Sequence, residues 1–96
     1  MSKKVIIEST VREGILDNLL PFLEKNLPTV RGFVGCLDVT IFIDKESRKM
    51  IFDEEWLSID DHQKYINAIS NNGVMGELAS FLEAPPEIKY LDRLDI

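Results

Sequence analysis

Apolar and polar residues alternate from Lys3 to Val11, placing Val5, Ile7, Ser9 and Val11 on one face and Ile6 and Glu8 on the other. That period of two predicts a first strand. Arg12-Glu13-Gly14 interrupts it. From Ile15 to Leu27 the period lengthens, and Leu16, Leu19, Leu20, Leu23 and Leu27 recur at helical spacing. Pro21 lies inside this pattern and lacks a backbone donor, so a kink or a late helix start is expected there. Pro28 is expected to end the helix or bend it again.

The segment Arg31 to Trp56 reads as a strand–turn–strand unit. Its first arm, Arg31 to Ile43, places Leu37, Val39, Ile41 and Ile43 on one face. Its second arm, Met50 to Trp56, aligns Met50, Phe52, Glu54 and Trp56. Between them Asp44-Lys45-Glu46-Ser47-Arg48-Lys49 has no apolar residue and suits a turn. Which face of the hairpin looks toward the helices, that of Trp56 or that of Leu57, stays open at this point. Beyond Trp56, Ser58 can cap a helix whose first turn carries Asp60 and Asp61, where the helix dipole favours negative charge. His62, Tyr65, Ile66 and Ile69 share one face of that helix. Asn71-Asn72-Gly73 stops it. A short helix follows with Val74, Leu78, Phe81 and Leu82 as its stripe. Ala84-Pro85-Pro86 closes it, and Ile88 to Leu94 reads as a last strand with Ile88, Tyr90 and Leu94 on one face. The order strand, helix, strand, strand, helix pair, strand predicts an α+β, ferredoxin-like split β-α-β sandwich with a four-stranded antiparallel sheet.

With 96 residues the chain is expected to form a single domain, 1–96, with a modest core, so part of its apolar surface is available to a second copy. A net charge of −6 argues against nucleic-acid and anionic-membrane partners, both of which need a basic footprint. No apolar run approaches the roughly 18 residues of a membrane-spanning helix. Val5-Ile6-Ile7 is too short for a signal-peptide core. One cysteine, Cys36, cannot form an internal disulfide, which together with the preceding points predicts a cytoplasmic protein. One His and one Cys make no metal-ligand cluster, and five scattered Gly make no phosphate loop, so neither a metal nor a nucleotide cofactor is expected.

Several local matches, in order, resemble the antibiotic biosynthesis monooxygenase family of the dimeric α/β-barrel superfamily. Thr29-Val30-Arg31-Gly32-Phe33-Val34-Gly35-Cys36-Leu37 is similar to that family's link from first helix to second strand. Glu55-Trp56-Leu57-Ser58 is similar to its glutamate-tryptophan-x-serine strand end. Tyr65, Gly73 and the run Pro85-Pro86-Glu87-Ile88-Lys89-Tyr90 resemble landmarks of one branch. The resemblance implies a homodimer, two sheets packed face to face as a dimeric α/β barrel. It also implies oxygenation of phenolic polycyclic substrates, anthrones or quinols, by molecular oxygen without metal or flavin. Two departures stand out. That branch often carries a tryptophan-arginine pair where this chain has Ile69-Ser70. The haem-degrading relatives use a first-strand asparagine and a histidine about ten residues past the tryptophan; here the strand has no Asn and the position is Ile66, which argues against haem degradation.

The candidate site follows from both readings. Trp56 is either a large core filler or the wall of an apolar pocket that holds a planar aromatic molecule. His62 is either a hydrogen-bonded packing residue or a base for a phenol's proton, and Tyr65 a packed ring or a donor to a substrate oxygen. Phe33 and Phe52 are candidate lining. Glu54, on the Trp56 face, is a second polar group in the pocket or, more simply, an ion-pair partner of Arg31 or Arg93. Arg31 either holds an anionic substrate group or ties a loop to a carboxylate. Cys36 is most simply a small buried residue. Two functions are thus expected: a cofactor-independent monooxygenase, which is the favoured one, or a non-catalytic dimeric module that binds a small aromatic molecule.

Overall fold

The computed structural model describes all residues, Met1 to Ile96. Its elements are β1 (Lys3–Thr10), α1 (Leu16–Arg31), β2 (Cys36–Asp44), β3 (Lys49–Trp56), α2 (Ile59–Asn71), α3 (Val74–Ser80) and β4 (Glu87–Leu91). The strands form one four-stranded sheet in the order β2-β3-β1-β4, antiparallel throughout. This is the α+β, ferredoxin-like arrangement, with the helices on one face of the sheet.

The alternation of side chains decides what the sheet buries. Toward the helices β1 sends Val5, Ile7 and Ser9, and β3 sends Met50, Phe52, Glu54 and Trp56. The Trp56 face of the hairpin is therefore the inner one, and Leu57 is exposed. At one end of the core Val11 and Met50 pack with Leu19, Phe22 and Leu23 of α1 and with Leu78 and Leu82. At the other end Val5, Ile7, Val39 and Trp56 pack with Val30 of α1. The opposite face of the sheet is uncovered. It carries Ile6, Ile51 and Phe42 among cross-strand ion pairs, Lys4–Asp53 at 2.8 Å and Lys89–Glu8 at 3.3 Å.

Three boundaries differ from the sequence expectation. The first helix runs through both prolines to Arg31, because Pro21 and Pro28 are exposed and the apolar stripe continues from Leu27 to Val30. The carbonyls each proline leaves without a helical partner belong to Asp17 and Glu24, which are exposed residues. The second strand therefore starts at Cys36 rather than Arg31. A register shift between Cys36 and Asp38 then turns Leu37 outward, so it does not share the face of Val39. The last strand ends at Leu91, leaving Leu94 exposed.

Candidate functional site

The site is assembled where the end of β3 meets the start of α2. Ser58 caps α2: its hydroxyl accepts the Asp61 N–H at 3.1 Å, satisfying an otherwise orphan donor. The Gly35 carbonyl accepts the Leu57 N–H at 2.8 Å and ties this junction to the α1–β2 loop. Gly35 has a φ of 91°, and a Cβ there would lie 2.5 Å from the Asp61 side chain. Only glycine fits both the conformation and the approach. With β3 and α2 joined this way, His62 in the first turn falls under the Trp56 ring, the ring centroids 5.2 Å apart and edge-on.

Four polar side chains meet in this interior. Glu54 is 2% exposed and His62 fully buried. The Trp56 Nε1–H donates to Glu54 Oε1 at 2.8 Å. His62 Nδ1 is 2.8 Å from the Tyr90 hydroxyl on β4. The other ring nitrogen, Nε2, has no hydrogen-bond partner and faces Glu54 Oε1 across 3.8 Å. Burial dominates the electrostatics. It raises the Glu54 carboxyl to about 7, against the Trp56 hydrogen bond, which works the other way. It lowers His62 to about 4, so the imidazole is neutral at physiological pH. Tyr65 is pushed up to about 12 by burial and by the neighbouring Glu54 charge. Cys36 and Tyr90 are raised for the same two reasons.

Between sheet and helices lie two small apolar cavities, of about 40 and about 50 Å³, which share Val30, Phe52, Tyr65, Ile69 and Leu78 as lining. The larger is also lined by Glu54. Of the residues singled out in the sequence, Phe52, Glu54 and Tyr65 meet at this cavity. Trp56, Phe33 and His62 form the layer behind it: Phe33 packs edge-on to Tyr65 at 5.3 Å and lies 6.2 Å from Trp56, and Trp56 lies 5.6 Å from Tyr65. Arg31 stands apart. Its guanidinium donates to the Val39 carbonyl at 2.9 Å, tying the end of α1 to β2. The expected ion pair between Glu54 and Arg31 or Arg93 does not form, because Glu54 points inward with the Trp56 face. Cys36 is only partly buried, beside Trp56. Tyr90 joins the site from outside these candidates. Its sequence signal was its place beside Ile88 on an inward face, and only the tertiary fold brings it to His62.

Elsewhere on the molecule no three His, Cys, Asp or Glu side chains converge to cradle a metal ion. No helix is long and apolar enough to cross a membrane.

A ferredoxin-like sheet with a buried carboxyl at an aromatic-lined cavity is what the chain itself defines. No family model and no curated protein matches its sequence. Solved structures match its fold over nearly the whole chain. Rv0793 from Mycobacterium tuberculosis superposes with a TM-score of 0.82 at 16% identity, covering 100% of this chain and 98% of that one. A Bordetella bronchiseptica protein, provisionally named an antibiotic biosynthesis monooxygenase, gives 0.84 at 14% identity and 97% of both chains. One from Nitrosomonas europaea with the same provisional name gives 0.83 at 10% identity, covering 98% of this chain and 91% of that one. The chain has the antibiotic biosynthesis monooxygenase fold. At these identities the likeness is one of fold, and a reaction must be argued from the site.

Proposed function

We propose that the protein is a cofactor-independent monooxygenase for a phenolic, quinol or anthrone-like aromatic substrate, working as a homodimer. One observation carries the reading: Glu54, a carboxyl buried at an apolar, aromatic-lined cavity beside Tyr65, with its proton affinity raised to about 7. At neutral pH such a group is available both as base and as acid. Raising it from 4.5 to about 7 removes about 3 kcal/mol from the uphill transfer of a phenol's proton. His62, neutral and held low, is the weaker base of the pair, so the accepting role passes from His62 to Glu54.

In this reading Glu54 takes the proton of the bound hydroxyl. The phenolate passes one electron to molecular oxygen, and the two radicals join in a C–O bond. The peroxide takes that proton back from Glu54 and loses water to leave a carbonyl. For an anthrone methylene the sum is CH2 + O2 → C=O + H2O, with O2 the only oxidant. Phe52 and Tyr65 orient the ring, and exclusion of water strengthens each polar contact. The cavities bear on how a substrate enters. Even together they fall short of the about 150 Å³ that holds a single benzene ring, so binding must part α2 and α3 from the sheet.

Oxygen uptake with a panel of anthrones and dihydroxynaphthalenes, chelator present, tests the proposal. Uptake above autoxidation that falls by about a hundredfold or more in Glu54→Gln is the expected result. Equal uptake by a folded Glu54→Gln variant would remove Glu54 from the chemistry. The narrow cavities, and Ser70 where the branch it resembles often has an arginine, favour a second reading: a module that binds a small aromatic molecule unchanged. No uptake across the panel, with ligand binding retained, would select it.

A further inference from the structure

The base proposed above is almost sealed from water, so its charge state can follow the pH of the solvent only if protons have a path to it. Glu54 is 2% exposed, and its cross-strand neighbours, Val5 on β1 and Val39 on β2, are both apolar and buried. Of the titratable groups around it, Tyr65 on α2, which lines the cavity, and Cys36 on β2 are both partly buried. Asp53 lies on the outer face of the sheet, paired with Lys4, and Arg31 is held by the Val39 carbonyl. One chain of polar atoms leads outward. From Glu54 Oε1 it crosses 3.8 Å to the orphan Nε2 of His62, passes through the ring to Nδ1, and reaches the Tyr90 hydroxyl at 2.8 Å. Tyr90 is half-buried on β4, an edge strand of the sheet, and its hydroxyl neighbours the exposed Gln63.

We propose that His62 and Tyr90 form a proton relay connecting the Glu54 carboxyl to solvent at the β4 edge. The relay deepens the reading of Glu54 as proton acceptor and rests on it. Its bookkeeping closes without any ring flip. When Glu54 is ionised, His62 carries its hydrogen on Nε2, facing the carboxylate, and Nδ1 accepts from the Tyr90 O–H. An incoming proton binds the Tyr90 oxygen from water; the hydroxyl hydrogen moves to Nδ1, and the Nε2 hydrogen moves to Glu54. One proton has entered, Glu54 is neutral, and His62 has changed tautomer and now donates from Nδ1 to Tyr90. The reverse sequence releases the proton and restores the first tautomer. Transfer requires the 3.8 Å gap to close by about 1 Å to hydrogen-bond distance, a small rotation of either side chain. His62 and Tyr90 act here through Glu54, as positioning and proton-carrying groups.

The chain supplies its own probes, since it has one His and one Trp. Nitrogen NMR of His62 across pH 5 to 9 should show a neutral ring that switches from the Nδ1–H to the Nε2–H tautomer as pH rises. The Trp56 fluorescence, reporting Glu54 through its hydrogen bond, should change with the same midpoint. Both changes should vanish in Glu54→Gln. After a rapid pH jump, Tyr90→Phe should keep the midpoint but relax at least about tenfold more slowly than the native protein. A single tautomer throughout the titration, or an unchanged relaxation rate in folded Tyr90→Phe, would overturn the relay. The tautomer measurement decides the matter alone should Tyr90→Phe fail to fold. None of these readouts uses a substrate, so failure of the relay is separate from failure to take up oxygen.

Discussion

Glu54 and His62 are shifted in opposite directions by the same cause, burial, and their effects on stability oppose each other across one pH window. Glu54 binds its proton more tightly folded than unfolded, about 7 against 4.5, so its contribution is complete below pH 4.5 and is lost as pH rises to about 7. His62 binds its proton less tightly folded, about 4 against 6.5, so its contribution is present above pH 6.5 and is lost as pH falls to about 4. Each is worth about 3 kcal/mol over its range by linkage. Between pH 4.5 and 6.5 they nearly cancel. Urea midpoints should therefore separate the variants: relative to the native protein, Glu54→Gln should gain stability as pH rises through this window, and His62→Gln should lose it. Parallel profiles for all three would show that the two groups titrate normally. In the sequence, the acid of this pair was visible as the one charge on an otherwise apolar strand face. The partner of His62, Tyr90, was not, because no spacing rule links a strand to a helix 28 residues away.

Among the elements, the β3–α2 junction sets the site, and Gly35 is its tightest point. A side chain there would both occupy a φ of 91° and press on Asp61 at the α2 cap. Gly35→Ala should cost about 2 kcal/mol or more, lowering the melting temperature by about 4–8 °C per kcal/mol in a domain of this size. Gly14→Ala is the control, with φ of 74° but nothing within 4 Å, and should cost less. Equal melting temperatures for the two variants would mean the Asp61 contact carries no weight. Most elements were legible from periodicity alone, since the same alternation that predicts a strand also buries it. The ends were less so. Pro21 and Pro28 read locally as breaks, but both fall on the exposed side of α1, where packing of Leu23 and Val30 holds the helix on its course. The bulge at Cys36 and Asp38 left no local mark, because bulges answer to the neighbouring strand rather than to their own residues.

For the whole molecule, the uncovered sheet face is the feature to be explained. Only 16 of the 96 residues are buried, and one complete face of the sheet lies outside the core. That face mixes apolar Ile6, Ile51, Phe42 and Leu91 with Lys4–Asp53 and Lys89–Glu8, pairs already neutralised within the chain. A second copy meeting it sheet to sheet would cover the apolar side chains while these four charges stay paired. Homodimer formation through this face predicts a sedimentation-equilibrium mass of twice 11.0 kDa at micromolar concentration. Phe42, 55% exposed, is the side chain to change, because its removal leaves the helix-facing core intact. Phe42→Lys should shift the mass toward the monomer while the Trp56 emission stays native. A stable native monomer would refute the dimer outright. A Phe42→Lys variant that remains fully dimeric would instead move the interface to another surface, and the sheet face would then need a different occupant.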